Sequence, residues 1–64
     1  MYIIMQASHA HRSPRASEAY RGPTTKVAGV KPGVVYSSLK DAEKDSARLR
    51  EWNPAGFVVV SISK

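Results

Sequence analysis

The chain has 64 residues, no cysteine and a formal net charge of +5. A domain of this length buries only about 60% of the surface that its unfolded chain exposes, and without cysteine neither disulfides nor thiolate zinc sites can reinforce it. No apolar run approaches the roughly 20 residues that cross a bilayer, and the opening segment is too short for a signal peptide. The sequence therefore predicts one small domain in a reduced, cytoplasmic setting.

The first predicted element is a strand at residues 1–6, where aromatic and β-branched side chains dominate and both faces are apolar. Residues 7–25 then carry Ser, Ala, Arg, Pro and Thr without a hydrophobic period, and Pro14 and Pro23 interrupt any helix. A loop of this length inside a compact domain is uncommon and indicates either a function or disorder. We therefore expect a flexible basic loop that serves as a lid or an arm.

The next stretch, KVAGVKPGVVY at residues 26–36, predicts a hairpin or a single bent strand. Residues 27–30 and 34–36 are short β-prone runs, and the Pro32-Gly33 pair between them suits a type II turn. In the bent-strand alternative, a glycine marks a bulge instead. Both alternatives place residues 34–36 in the sheet.

A helix over residues 38–52 is the clearest element of the sequence. Ser37 or Ser38 can cap its first turn, and Pro54 bars its continuation. Apolar or small side chains recur at spacings of three, four and three residues, which is typical of the buried stripe of a helix. The predicted stripe consists of Leu39, Ala42, Ser46 and Leu49, with Trp52 at its border.

The last predicted strand covers residues 57–63, and its valine run is too apolar for an unprotected edge. The order of elements predicts an α+β fold in which a small three- or four-stranded, largely antiparallel sheet packs on one α-helix, with a long basic loop after the first strand. Residues 1–64 are predicted to form a single domain. One helix covers one sheet face, so the second face needs cover from the loop, from a second copy or from a partner.

The sequence offers little for chemistry. His9 and His11 could share a metal, but no further His or Cys supplies the third ligand that zinc normally requires. Ser8 and Ser13 have no carboxylate nearby to orient a base, and the chain contains no glycine-rich phosphate-binding loop. We therefore predict no catalytic residue, no metal and no cofactor, in a protein that is not an enzyme.

The positive charge is concentrated in residues 7–31, where five basic residues stand against Glu18 alone. Clustered cations favour an acidic partner through long-range steering, whereas the alternative is that the excess charge only keeps a small domain soluble. Aromatic and Arg side chains typically anchor such contacts, and Tyr2 is a further aromatic candidate. The predicted partner-binding residues are Arg12, Arg15, Tyr20, Arg21, Lys26 and Lys31.

Two resemblances lie in the C-terminal half. The run PGVVYSSLKDAEKDSARL, residues 32–49, resembles the small hybrid-binding domain at the N-terminus of some ribonucleases H, where a strand leads into a Ser-capped helix. A second set of residues resembles small phage-encoded host inhibitors of the podophage RNA polymerase inhibitor type. That set consists of Tyr36, Leu39, Ala42, Trp52 and the run PAGFVV at residues 54–59. The second resemblance implies one sheet, one helix and a protein that acts by occupying a surface.

From this resemblance and the basic residues, we expect a small non-enzymatic binding protein, encoded by a phage, that binds and inhibits or modulates a host protein complex such as RNA polymerase or a defence complex. Its setting would be the host cytoplasm without a membrane partner, and a homodimer stays open. The residues leave two alternatives. One is a nucleic-acid-binding module that uses the same cations, and the other is a structural protein that self-assembles through its exposed strand.

Overall fold

The computed structural model describes residues 1–9 and 15–62. It shows a small α+β fold in which two antiparallel strands pack with a helix. Within those two ranges, no helix has the length and apolar character that crossing a membrane requires. In chain order, the elements are strand β1 (Tyr2–Gln6), two 3-10 turns (Ala7–His9 and Ala16–Glu18), helix α1 (Thr24–Ala28), helix α2 (Leu39–Trp52) and strand β2 (Phe57–Ser61).

The sheet consists of β1 and β2, which pair antiparallel with Ile4 opposite Val59 at the centre. The third and fourth strands predicted from the sequence are not confirmed. Of residues 34–36, only Tyr36 joins the sheet, through an isolated bridge to Tyr2. The two tyrosines exchange backbone hydrogen bonds of 2.8 Å in both directions, so the chain touches the outer edge of β1 at this residue and does not form a strand there.

The predicted strand at residues 27–30 is wrong, because Val27 and Ala28 are the last two residues of helix α1 and residues 29–30 follow the helix outside any strand. The amide of Thr25 donates to the carbonyl of Gly22 at 3.2 Å and begins the helical turn. Gly29 then ends the helix in the left-handed region, at φ 74°. A proline before a helix and a glycine after it are common helix boundaries, and here they outweigh the β propensity of the valines.

The long predicted helix is present as α2, Leu39–Trp52, with Ser38 as an N-cap whose side chain forms no capping hydrogen bond. The two ends of the predicted stripe are wrong, since Leu39 is 44% exposed and Trp52 is 60% exposed. These two residues are the first and the last of the fourteen in α2, so the predicted stripe is buried only in the middle of the helix. The stripe residues that are buried are Ala42, Ser46 and Leu49.

The core occupies both faces of the sheet, because successive strand residues point to opposite sides. On the face towards α2, Ile4 and Phe57 pack with Leu49 and with Val30. The hydroxyl of Tyr36 also reaches α2 on this side, where it donates to Asp45. Helix α2 therefore shares the cover of this face with Val30, Tyr20 and Ala28, whereas the sequence predicted one helix alone.

The opposite sheet face, for which the sequence left three possible covers, is buried within the chain itself. Ile3 and Met5 on this face have no exposed surface. They pack in one cluster with Ala19, which lies in the predicted loop, and with Val35 beside it. Part of residues 7–25 therefore packs on this face, which is the first of the three covers that the sequence left open.

Candidate partner-binding surface

Five of the six predicted binding residues lie in residues 15–33, here named the basic segment. Arg12, the sixth, lies outside the described residues. The four cationic side chains of the segment are exposed and the ring of Tyr20 is half-buried. Glu18 is the one acidic residue of the segment, so the charge predicted from the sequence is presented on the surface. The four cations are Arg15, Arg21, Lys26 and Lys31.

Backbone hydrogen bonds hold the basic segment against the outer edge of β1. The amide of Tyr20 donates to the carbonyl of Ile4 at 2.8 Å, and the amide of Gly33 donates to the carbonyl of Tyr20 at 2.9 Å. Gly33 has the positive φ, 65°, that a type II Pro-Gly turn requires. Tyr20 therefore links the strand to this turn, and residues 20–33 are tied to the sheet, which differs from the predicted flexible loop.

Helix α1 fixes the position of Lys26 within the segment. Thr25 is buried, and its hydroxyl donates a 2.8 Å hydrogen bond to the carbonyl of Gly22. The amide of Val30 closes the far end of the helix on the carbonyl of Thr25 at 2.9 Å. Neighbouring helix positions lie about 100° apart around the axis, so burial of Thr25 turns Lys26 towards solvent.

Two cations lie close to the turn at residues 32–33. The Arg21 guanidinium lies against Gly33, where an added Cβ atom would stand 2.7 Å from Cζ of Arg21. Lys31 lines a small cavity of about 10 Å³ together with Tyr20. Because the backbone bond between Tyr20 and Gly33 joins the two stretches, the fold brings Arg21 and Lys31 to the same end of the basic segment.

The four cations of the basic segment lack an acidic partner within the described residues. None of the four forms an ion pair with a carboxylate among residues 1–9 and 15–62. Exposed ion pairs contribute only about 0–1 kcal/mol to stability, so leaving these side chains unpaired costs the fold little. Each of them can therefore meet an anionic group on a partner without first breaking a contact of its own.

The ring of Tyr20 packs within the fold. It meets the ring of Phe57 edge-on, with centroids 4.7 Å apart and an interplanar angle of 64°, which is a favoured aromatic arrangement. It also lies over Gly22, where an added Cβ atom would stand 2.5 Å from Cζ of Tyr20. The predicted anchor thus packs in the core of the protein, and only part of its side chain is exposed to solvent.

An open cleft of about 360 Å³ borders the basic segment and runs along residues 17–23 to Gln6 at the end of β1. Tyr20 and Arg21 line it together with Glu18, so the cleft offers a contact surface with both signs of charge.

In the described part of the chain, no three His, Cys, Asp or Glu side chains come together as metal ligands. The side chain of His9 and the whole of His11, which the sequence considered as a metal pair, lie outside that part.

Trp52 is a candidate binding residue that the sequence placed wrongly, at the border of the core. It lies one turn beyond Leu49, which packs with Ala28 and Val30 of the basic segment. Its side chain is 60% exposed. Trp and Arg are enriched among the few residues that dominate protein–protein binding. The signal that could have identified it is its place in the last turn of the helix, two residues before Pro54.

Comparisons of the chain with protein-family models, with curated proteins and with solved structures found no match. The resemblances to the ribonuclease H hybrid-binding domain and to the podophage inhibitor type stay predictions from the residues that carry them. What bears on function is therefore the chemistry of the basic segment and of Trp52.

Proposed function

We propose that this chain is a small non-enzymatic binding protein that inhibits or modulates a partner protein complex by covering an acidic surface on it. The basic segment carries this proposal, because its four cations are exposed and make no ion pair with a described carboxylate, and because three of them, Arg21, Lys26 and Lys31, stand on a backbone tied to β1. Cations at such positions steer association with an acidic surface, and the backbone that carries them from residue 20 onward needs little further ordering on binding.

A protein surface suits the basic segment better than a nucleic acid does. Proteins that bind single strands combine cations with aromatic rings on which bases stack. The aromatic ring of this segment, Tyr20, is packed edge-on against Phe57 instead. The most exposed aromatic side chain of the described residues is Trp52, and a tryptophan is typical of the anchors at the centre of protein interfaces.

The proposal gives the cations and Trp52 separate roles. Exposed charges act mainly on the association rate, and their effect falls as salt screens them. A large aromatic side chain that becomes buried on binding acts mainly on the dissociation rate. Removing charge from Arg21 and Lys31 should therefore slow association at low salt, whereas Trp52→Ala should shorten the lifetime of the complex at any salt concentration.

The proposal retains two expectations from the sequence, a phage origin and action in the host cytoplasm. Both bear on where the partner should be found. An acidic surface on a cytoplasmic complex, such as RNA polymerase or a defence complex, is the class of target that the basic segment would meet.

The experiment that tests the proposal is affinity capture from bacterial lysate with the tagged protein, with and without nuclease, at low and at moderate salt. We expect one protein or complex to be retained in near-equal amount to the bait and to be unaffected by nuclease. Purified target and bait should then associate in a binding assay, with an association rate that falls as salt rises. Heterogeneous material that disappears with nuclease would contradict the proposal and favour a nucleic-acid partner.

A further inference from the structure

The hydrogen bonds at the two ends of the sheet determine which residues of each strand bond across it. The amide of Ala7 donates to Gly56 and the amide of Ile62 donates to Met1, both at 2.8 Å. In an antiparallel pair, residues that bond the partner strand alternate with residues that face away from it. The odd-numbered residues of β1 and the even-numbered residues of β2 therefore form the ladder, as the register of Ile3 with Val60 requires.

The remaining backbone groups point out of the two-stranded sheet on both sides. On the β1 side they are used, because Tyr2 exchanges bonds with Tyr36 and the carbonyl of Ile4 accepts from Tyr20. On the β2 side, no backbone bond joins the outward groups to any other residue that the structure describes. The outward groups of β2 belong to Phe57, Val59 and Ser61.

The side chains of β2 show the same open edge. The three central residues of β1 are buried, whereas the three valines of β2 are only half-buried. Residues 57–61, FVVVS, contain no charge and no proline, which are the features that usually protect an edge strand from pairing. An unprotected, β-branched edge of this kind is completed by an added strand that supplies matching amides and carbonyls.

We propose that β2 pairs antiparallel with β2 of a second copy of this chain, giving a four-stranded sheet across a two-fold axis at Val59. In this register Val59 lies opposite its own copy and Phe57 lies opposite Ser61 of the other chain. The three pairs formed by the outward groups make about six hydrogen bonds. The proposal goes beyond the binding function above and does not depend on it.

A second copy suits this edge because the outward amides and carbonyls of β2 can pair with the same groups of a copy related by a two-fold axis. A two-fold axis presents the same surface from both subunits, so a strand without charges meets no like charge opposite it. The basic segment borders the other edge of the sheet, at β1. Strand order β1-β2-β2-β1 therefore keeps the two sets of cations at opposite ends, where their repulsion is screened and both stay accessible.

The test is solution mass together with amide hydrogen exchange on the wild-type protein over a range of concentrations, up to about 1 mM, the weak end of specific association. We expect the mass to rise from 7.0 kDa towards twice that value, while the amides of Phe57, Val59 and Ser61 become protected. The amides of Val58 and Val60 bond β1 and serve as internal controls, protected at every concentration. A monomer throughout, or a dimer with an unprotected Val59 amide, would overturn the proposal.

A variant pair at Ser61 adds an independent test. Ser61→Pro removes an outward amide without touching the ladder to β1, and proline is tolerated at an edge in this position. The side chain is exposed, so the core is unchanged. We expect Ser61→Pro to stay monomeric at a concentration where Ser61→Ala dimerises. Dimerisation of Ser61→Pro equal to that of the wild type would contradict the proposed edge. If the proline variant does not fold, the exchange pattern of the wild type still decides.

Discussion

The hydroxyl of Tyr36 donates a 2.6 Å hydrogen bond to Oδ2 of Asp45, which joins the chain before α2 to the middle of that helix. The backbone of the same tyrosine bridges Tyr2 at the outer edge of β1. One residue therefore connects strand and helix on the face of the sheet that α2 covers. Burial raises the pKa of Tyr36 well above its ordinary value of 10.0, and the bond to Asp45 raises it further.

Removal of the Tyr36 hydroxyl should destabilise the domain. A hydrogen bond to a charged group contributes about 1.5–3 kcal/mol, and Tyr36 is only half-buried, so we expect Tyr36→Phe to lower the free energy of unfolding by about 1–2 kcal/mol at neutral pH. Urea denaturation measures this directly. Tyr2→Phe is the matched control, because the hydroxyl of Tyr2 makes no hydrogen bond in the described part of the chain. Equal effects of the two variants would contradict the assigned role of Asp45.

The same bond should make stability depend on alkaline pH. Because the folded pKa of Tyr36 lies above the unfolded one, the folded state holds the phenolic proton more tightly. Its contribution is fully present below about pH 10, the ordinary tyrosine value, and is lost as pH rises towards the raised pKa. The stability difference between wild type and Tyr36→Phe should therefore shrink above pH 10, and a difference that stays constant to pH 11 would contradict it.

Two large side chains of α2 should differ sharply in their effect on stability. Leu49 is 1% exposed in the core cluster with Ile4 and Phe57, whereas Trp52 is 60% exposed. We expect Leu49→Ala to cost about 2–5 kcal/mol, enough to unfold a domain this small, and Trp52→Ala to cost less than about 1 kcal/mol. Circular dichroism during thermal unfolding distinguishes them. A larger loss for Trp52→Ala would mean that the helix packs through a different face.

Adding a side chain at Gly22 should destabilise the protein, because the ring of Tyr20 occupies the adjacent space. An added Cβ atom would overlap the end of that ring, and moving the ring would weaken its edge-on contact with Phe57. We expect Gly22→Ala to cost about 1–2 kcal/mol in the wild type and close to nothing in a Tyr20→Ala background. A double-mutant cycle by urea denaturation measures the coupling. An equal cost in both backgrounds would place the strain elsewhere.

Ser46 should be a site where a substitution stabilises the protein. Its hydroxyl oxygen is buried on α2 without a hydrogen-bond partner among the described residues. Ser46→Ala removes the unsatisfied group and improves helix propensity, so we expect a gain of about 1 kcal/mol. The neighbouring exposed position gives the reverse control, since Ala47→Ser should cost about 0.5 kcal/mol through propensity alone. A loss of stability in Ser46→Ala would show that the hydroxyl has a partner in solution.

The sequence predicted the elements that local patterns determine. Residues 1–6, 38–52 and 57–63 were predicted from periodicity and capping, and β1, α2 and β2 are present there. Residues 24–25 were predicted as loop and residues 26–28 as part of a hairpin or bent strand, whereas all five form helix α1, whose boundaries are Pro23 and Gly29. The choice between strand and helix follows from contacts with α2 and the sheet, which are not visible in a single local pattern.

For the candidate surface, composition predicted the cations but not the geometry. Long cationic side chains are nearly always exposed, so the prediction that Arg15, Arg21, Lys26 and Lys31 are accessible needed no fold. The roles of two aromatic residues depend on tertiary contacts that the sequence does not show. Tyr20 bonds Ile4 through its backbone and packs its ring on Phe57, and Trp52 is exposed as the last residue of α2.

The most direct test of the central claim compares two variants with equal charge but different surfaces, in capture of the nuclease-resistant target. Each replaces four exposed cations by glutamine and lowers the net charge from +5 to +1. One variant carries Arg15→Gln, Arg21→Gln, Lys26→Gln and Lys31→Gln, and the other carries Lys40→Gln, Lys44→Gln, Arg48→Gln and Arg50→Gln.

We expect the first variant to lose the target and the second to retain it, because the basic segment presents four cations against Glu18 alone, whereas α2 carries as many carboxylates as cations. Both variants should keep the wild-type circular dichroism spectrum. Equal retention by the two variants would contradict a role for the basic segment, and equal loss would mean that net charge alone, and no particular surface, brings the partner.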